Sequence, residues 1–582
     1  MSTRHYAHWP RGLPHAITIP ATSVYVNLAV SAARYPDKPA LVFYDTAISY
    51  REFLRDVDVL AGYLQQVCGV RKGDRVLLYS QNCPQWAIGY YAILRADAVV
   101  VPVNAMSKAM EAEHYAQDSG AVAAIVSQEL LPYLQPVLGR HALRHAVVAT
   151  YADYLRVPTD LAVPEFVRAA PAALAGHGLH AWRDMLAAGE VPGEHEAGPD
   201  DWSVFPYTSG TTGHPKGCIH THRSVMHTLV TGCIWSGVHP EMIALATLPF
   251  FHVTGMQSSL NSPGYIGATL VILPRWDRTM AAQLIERYQV STWTAISTMV
   301  VDLLANPDLG KYDIGSLMRI TGGGAAMPEA VAKSLFERFG LTYLEGYGLS
   351  ETIAPSHINP PQRAKRQCLG IPICNTEALV VEVGGTRELG TGETGEILIH
   401  GPQVFQGYWN NPAATADTFD EEGWFLTGDI GELDAEGYLR ITGRKKELLV
   451  TAAGKNVAPA PLEDRLRAHE LISQAVVIGD ARPFIAALIT LDDQAFAQWV
   501  TEHGLDGQTI GDLRETDHLR KEIQAAVDQA NESVSRAESI REFVILSRDL
   551  SIEEDELTPT LKVRRSVVEK TYADAIDQIY SR

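Results

Sequence analysis

The stretch Tyr207-Thr-Ser-Gly-Thr-Thr-Gly-His-Pro-Lys-Gly217 decides how this chain is read. It follows Asp201-Trp-Ser-Val-Phe-Pro206, which reads as a buried strand, and precedes an apolar run from Ser224 that reads as a helix. Gly210 and Gly213 let backbone N–H groups close on an anion. Thr208, Ser209, Thr211 and Thr212 add hydroxyl donors, and Lys216 adds a full positive charge. A strand that breaks into glycines and hydroxyls before a helix is expected to cradle a polyphosphate. The nucleotide-triphosphatase loop needs Gly-Lys followed by Ser or Thr, whereas here Pro215-Lys216 is followed by Gly217, which argues against that pattern. For a short match, a plain Ser/Thr/Gly surface loop is the alternative.

The chain has 582 residues, enough for several domains and a large core. Its 46% apolar and 20% charged residues are the mix of a globular fold. A formal net charge of −20 argues against a nucleic-acid partner, which needs a basic face to displace phosphate counterions. An anionic nucleotide must then be held by local cations and N–H groups. Six cysteines, Cys68, Cys83, Cys218, Cys233, Cys368 and Cys374, show no C-x-x-C pair and no metal-ligand spacing, and read as buried free thiols of a reducing compartment. The N-terminal segment lacks the apolar core of a secretory signal, and no window approaches about 18 uninterrupted apolar residues. A cytoplasmic protein without a transmembrane segment is expected. Peripheral contact with the inner membrane surface and a homodimer are both left open.

Residues 1–22 read as an irregular arm, Ser23–Ala33 as a short helix, and Ala40–Tyr44 with Ala47–Tyr50 as a hairpin. Tyr50–Val67 has helical spacing; Asp74–Tyr79, Pro84–Leu94 and Ala98–Val103 then read as strand, helix and strand, with Val-rich strands that suggest parallel α/β packing. The segment from about 128 to 200 reads as a strand and helices ending in an acidic connector, with no chemistry in it.

Further motifs follow the loop. In Leu248-Pro-Phe-Phe-His-Val-Thr-Gly-Met256, His252 by itself is an ordinary packed histidine. Arg319-Ile-Thr-Gly-Gly-Gly-Ala-Ala-Met-Pro328 is a strand ending in three glycines, against which a flat ring or acyl chain could lie, or else a plain strand-to-helix turn. In Leu344-Glu-Gly-Tyr-Gly-Leu-Ser-Glu-Thr352, Tyr347 offers a π-face for adenine and Ser350 a hydroxyl for phosphate. Glu351 offers a hard oxygen suited to Mg²⁺, with Thr208 as a second oxygen ligand. A helix-start carboxylate is the plain alternative for Glu351. Asp429, in Trp424-Phe-Leu-Thr-Gly-Asp429, can accept both hydroxyls of a ribose, although a Thr-Gly-Asp alone is only a turn. Ile441-Thr-Gly-Arg-Lys-Lys-Glu-Leu-Leu-Val450 taken by charge alone is an exposed basic patch.

Taken in order, these motifs resemble the AMP-forming adenylating enzymes: acyl-CoA synthetases, peptide-synthetase adenylation domains and luciferases. The resemblance spans residues 207–565, most of the chain. It implies an α/β fold with a large multi-subdomain N-terminal domain, 1–443, of two α/β sheets plus a small β-barrel, and a small mobile α+β lid domain, 444–582. It further implies that His252 lines the carboxylate pocket, and that Gly322, Gly323, Gly324 and Ala325 form the adenine and acyl-pocket wall. Gly401-Pro-Gln-Val-Phe-Gln-Gly-Tyr-Trp409 resembles the loop before the ribose site, Arg444 a ribose or phosphate contact, and Lys446 the hinge of the lid. Glu556-Leu-Thr-Pro-Thr-Leu-Lys-Val-Arg-Arg565 looks like the long-chain fatty-acyl branch and points to Lys562 as catalytic, with Arg564 and Arg565 as rivals. The chain departs from the family pattern at Ser350, where Thr is usual, and at Ala453 and Leu561, where Gly is usual.

The activity so implied joins ATP, with Mg²⁺, a medium- or long-chain fatty acid and coenzyme A. The alternatives are an aryl or other carboxylic acid, a luciferase-like oxygenase, or a nucleotide-binding regulator without catalysis. A peptide-synthetase module is disfavoured, since no carrier segment is read before Ser23 or after Arg582.

Overall fold

The computed structural model of the chain describes residues 4–208, 215–324, 327–452, 456–532, 534–536, 538–551, 553–557 and 563–581. These fall into two compact units. The first comprises Met1–Leu379, Leu398–Thr427 and Leu433–Arg440. Its larger sheet has nine strands in the order Ile371–Pro372, Ala354–Ile358, Tyr343–Leu349, Arg319–Gly323, Thr292–Thr294, Ile243–Ala246, Thr269–Ile272, Pro39–Phe43 and Thr46–Ser49. The strands from Tyr343–Leu349 to Pro39–Phe43 run parallel, and those outside them pair antiparallel.

The other sheet of this unit has seven strands in the order His220–Thr221, Trp202–Val204, Val99–Pro102, Arg75–Tyr79, Ala123–Ser127, His145–Ala149 and Leu179–Ala181. All are parallel except the first. Val99–Pro102 and Ala123–Ser127 are buried at every position, as a parallel sheet covered on both faces requires. Helices Tyr50–Gln66 and Pro84–Arg95 begin where the sequence places start signals: the Ser49 hydroxyl accepts from Glu52 N at 3.2 Å, and Pro84 opens the second helix. Both sheets feed one hydrophobic core that includes Trp86, Tyr90, Phe250 and Trp293.

The expected run from strand through glycine loop straight into a helix is corrected in one respect. Tyr207–Thr208 pairs antiparallel with Lys216–Gly217, so the loop is the connection of a hairpin. A further strand, His220–Thr221, precedes the helix, which runs His222–Ser236 and is capped by the Thr221 hydroxyl accepting from Ser224 N.

A further sheet, in the order Glu377–Val381, Gly395–His400, Phe425–Leu433 and Leu439–Arg444, has four strands where a small barrel is expected. The second unit comprises Val380–Ile397, Gly428–Glu432 and Ile441–Arg582. In it Ile472–Ile478 pairs antiparallel with Ile485–Leu491, which pairs parallel with Ile540–Ile545. Successive residues of these strands alternate between two cores. Val477, Ala487 and Ile489 pack with Phe496 and Leu519, while Val476, Ala486 and Leu488 pack with Val568 and Ile576. Among the described residues no helix is long and apolar enough to cross a membrane.

Candidate active site

The hairpin at 207–217 is braced from one helix, Ala109–Ser119. His114 Nε2 donates to Pro215 O at 2.8 Å, and Tyr207 OH donates to Asp118 Oδ2 at 2.7 Å. Thr208 and Lys216 are directly opposite in the hairpin, so their side chains leave the same face of it. Both are half-buried.

Beyond Lys216 the chain is zipped to the segment 406–409. Trp409 N donates to Gly217 O at 2.8 Å, Gln406 N to Ile219 O at 2.9 Å, and Ile219 N to Gly407 O at 3.0 Å. This sets the Tyr408 ring beneath Lys216, with Nζ 4.9 Å from the ring centroid. The Tyr408 hydroxyl donates to Glu351 Oε1 at 2.7 Å. Phe405 N donates to Glu351 O at 2.9 Å, and His220 Nε2 to Ser350 O at 2.7 Å. Lys216, Tyr408, Glu351 and Ser350 thus form one connected group drawn from three parts of the first unit.

The electrostatics of this group agree with the direction of its hydrogen bonds. Burial, and then the neighbouring Glu351 charge, push the Tyr408 hydroxyl above its ordinary range, so it stays protonated and donates. Burial lowers the His220 imidazole to about 4, so it is neutral and donates through Nε2.

Next to Glu351 in sequence, strand Tyr343–Leu349 lies against Arg319–Gly323, with Gly322 opposite Glu345 and Gly323 opposite Gly346. A Cβ on Gly322 would come within 1.9 Å of Ala295 O, and one on Gly323 within 2.3 Å of Gly346 O. Those two glycines are demanded by the protein's own backbone packing. Gly324 differs: its φ is +85° and the space beside it is open. Glu345 is buried, accepts from Met327 N at 2.6 Å, and has its carboxyl raised to about 7 by desolvation. Tyr347 is buried with its ring centroid 5.8 Å from that of His357, and His252 is exposed just after the turn at Pro249.

In the second unit, Arg444 Nε lies 3.1 Å from Oδ1 of the buried Asp429. Lys445 Nζ pairs with the buried Glu396 at 2.7 Å, while Lys446 is exposed in the single turn Lys445–Glu447. Ser209, Gly210, Thr211, Thr212, Gly213, Ala325 and Lys562 lie outside the described residues. The residues flanking the last of these, Leu557 and Val563, pair as an antiparallel bridge.

The hairpin is tied through Tyr408 to the buried Glu351, and a second, smaller unit with α and β elements follows in the chain. Residues 28–409 match the AMP-binding enzyme family, and residues 446–582 match the AMP-binding enzyme C-terminal domain. The chain belongs to the AMP-binding enzyme family.

Among relatives of this AMP-binding enzyme, a long-chain-fatty-acid–CoA ligase of Mycobacterium bovis is 35% identical over 88% of this chain and 89% of its own length. A long-chain-fatty-acid–CoA ligase of Bacillus subtilis is 32% identical over 81% and 85%. Of solved structures, a Mycobacterium tuberculosis fatty acyl CoA synthetase superposes with a TM-score of 0.69 at 24% identity, covering 95% of this chain and 99% of that one. An anthranilate CoA ligase with bound anthranoyl-AMP superposes with a TM-score of 0.77 at 22% identity, covering 97% and 99%. The AMP-binding enzyme therefore shares their fold.

Three residues of the site carry no sequence signal that assigns them a role. Tyr408 lies in a recognisable loop, yet its partners Lys216 and Glu351 are set only by tertiary pairing. His114 and His220 lie outside any chemical motif and act through backbone carbonyls.

Proposed function

We propose that this AMP-binding enzyme is an ATP-dependent acid–thiol ligase that adenylates a medium- or long-chain fatty acid and transfers the acyl group to coenzyme A. The observation that carries the fatty-acid reading is identity of 35% over 88% of the chain to a relative whose name is long-chain-fatty-acid–CoA ligase. In the first half-reaction a carboxylate oxygen attacks the α-phosphorus of ATP, and the bond to pyrophosphate breaks. In the second the coenzyme A sulfur attacks the acyl carbon, and the bond to AMP breaks.

The hairpin, with Thr208 and Lys216 on one face, grips the β- and γ-phosphates while Ser350 reaches the α-phosphate side. Tyr347, Gly323 and Gly324 border the adenine, Asp429 accepts the ribose hydroxyls with Arg444 beside it, and Gly322 and His252 flank the acid. The hard oxygens of Glu351 and Thr208 fit Mg²⁺, which when bound with ATP offsets phosphate charge. Lys562 places its charge between the attacking carboxylate and the α-phosphate, and residues 444–582 turn about Lys446 between the half-reactions. Arg564 and Arg565 are committed elsewhere in the second unit: Arg564 pairs with Asp555 at 2.7 Å and Arg565 with Glu463 at 2.5 Å. That commitment favours Lys562 over both rivals.

Pyrophosphate release across a fatty-acid length series, with and without coenzyme A, tests the substrate. Each buried CH₂ is worth about 0.8 kcal/mol, so kcat/KM should climb about fourfold per CH₂ until the tunnel is filled. A flat series, or an aromatic acid outrunning every fatty acid, counts against the reading.

Tyr408 orients Glu351. Tyr408→Phe keeps the ring beneath Lys216 and removes only the hydroxyl, so it should lower adenylation by about 10–100-fold, the loss of one hydrogen bond to a charged group. Because the lost partner is Glu351, the Mg²⁺ concentration for half-maximal rate should rise while that for coenzyme A stays fixed. An unchanged Mg²⁺ dependence would show that the hydroxyl plays no such part.

A further inference from the structure

Three ligating side chains meet at the edge of the seven-stranded sheet. Cys68 lies just past the helix Tyr50–Gln66, His145 opens the strand His145–Ala149, and His180 is central in the edge strand Leu179–Ala181. The two strands are parallel neighbours, with Val147 opposite His180. The ligand atoms of the three side chains all lie within 4.8 Å of one another. His145 Nδ1 and His180 Nε2 are 3.0 Å apart, and the other nitrogen of His180, Nδ1, lies 2.9 Å from Tyr63 OH. Cys68 is buried and both histidines are half-buried.

We propose that Cys68, His145 and His180 form a Zn²⁺-binding site, with water as the fourth ligand. One thiolate and two imidazoles are the donors zinc prefers, and the sulfur disfavours Mg²⁺ and Ca²⁺. Tetrahedral zinc with N ligands at about 2.0–2.1 Å and S at about 2.3 Å separates its donor atoms by about 3.3–3.6 Å. The present spacing brackets that range, so small side-chain movements close the site. Tyr63 supplies the partner that a metal-bound imidazole keeps on its second nitrogen, holding the ring with Nε2 toward the ion.

On binding, the Cys68 S–H bond breaks, a sulfur–zinc bond forms, and the proton leaves to solvent. Burial pushes the Cys68 thiol up to about 12, so without metal it is a neutral thiol packed beside the histidines. The occupied site would tie the end of one helix to two strands of the sheet and stabilise the fold by mass action. A His145–His180–Tyr63 hydrogen-bonded chain with a bystander thiol uses the same ring contacts, so the test must read the sulfur.

The full chain, freed of metal, is titrated with Co²⁺ and then Zn²⁺. One equivalent of Co²⁺ should produce a sulfur-to-cobalt charge-transfer band in the near ultraviolet that Zn²⁺ removes. Cys68→Ser should lose the band, His180→Gln should weaken binding at least about tenfold, and Tyr63→Phe should keep the band at about 10–100-fold lower affinity. A wild-type chain without the band, the same band in Cys68→Ser, or unaltered affinity in His180→Gln overturns the site.

Discussion

Lys562→Ala is expected to lower acyl-adenylate formation by about 10²–10³-fold, the scale of removing one preorganised charge stabiliser. Negative charge crowds where the carboxylate approaches the α-phosphate, and positioning with electrostatics does most of the work in phosphorus substitution. The thiol attack on a preformed acyl-adenylate involves no such crowding at phosphorus. Thioester formation from supplied acyl-adenylate should therefore stay near wild type. Pyrophosphate exchange measures the first step, and coenzyme A consumption with synthetic acyl-AMP measures the second. Equal losses in both would refute the division of labour. Arg564→Ala is the internal control: its guanidinium already serves Asp555, so adenylation should change far less than in Lys562→Ala.

Lys446→Pro should separate the half-reactions in the opposite sense. Proline fixes φ near −65° and restricts the residue before it, here Lys445, whose ammonium is anchored on the buried Glu396. The exposed turn Lys445–Glu447 can accept a proline ring, so folding should be kept. A large backbone rotation at this point is what the substitution denies. Adenylation should persist while thioester formation falls by about 10²-fold, the loss a misplaced group imposes on a reacting pair. Normal overall turnover in Lys446→Pro would place the pivot elsewhere.

Much of the first unit can be read directly because its signals are local. Strands such as Val99–Pro102 are continuous apolar runs, and the helices start at caps or prolines that act within one turn. Asp429 and Arg444 stand in motifs with their own chemistry, and the structure pairs them. What could not be read depends on pairs far apart in sequence. Tyr207–Gly217 reads as a loop between a strand and a helix, and only the pairing of Thr208 with Lys216 makes it a hairpin. Tyr408 has no meaning until residues 216–219 zip onto 406–409. The triple glycine suggests space for a ligand, yet Gly322 and Gly323 are dictated by Ala295 and Gly346, carbonyls that lie 27 and 23 positions away. Cys68, His145 and His180 have no spacing in common because two neighbouring parallel strands and the end of a helix, not a short motif, gather them.

The second unit includes Val380–Ile397 and Gly428–Glu432 as well as everything from Ile441 onward. Anyone exchanging tails between homologues at a single junction would thus graft a body missing two of its own pieces, and would strand Lys445 opposite a foreign residue in place of Glu396. Recombinants built by transplanting all three segments together should express and purify as the parent does, whereas single-junction hybrids should precipitate or fall to proteases.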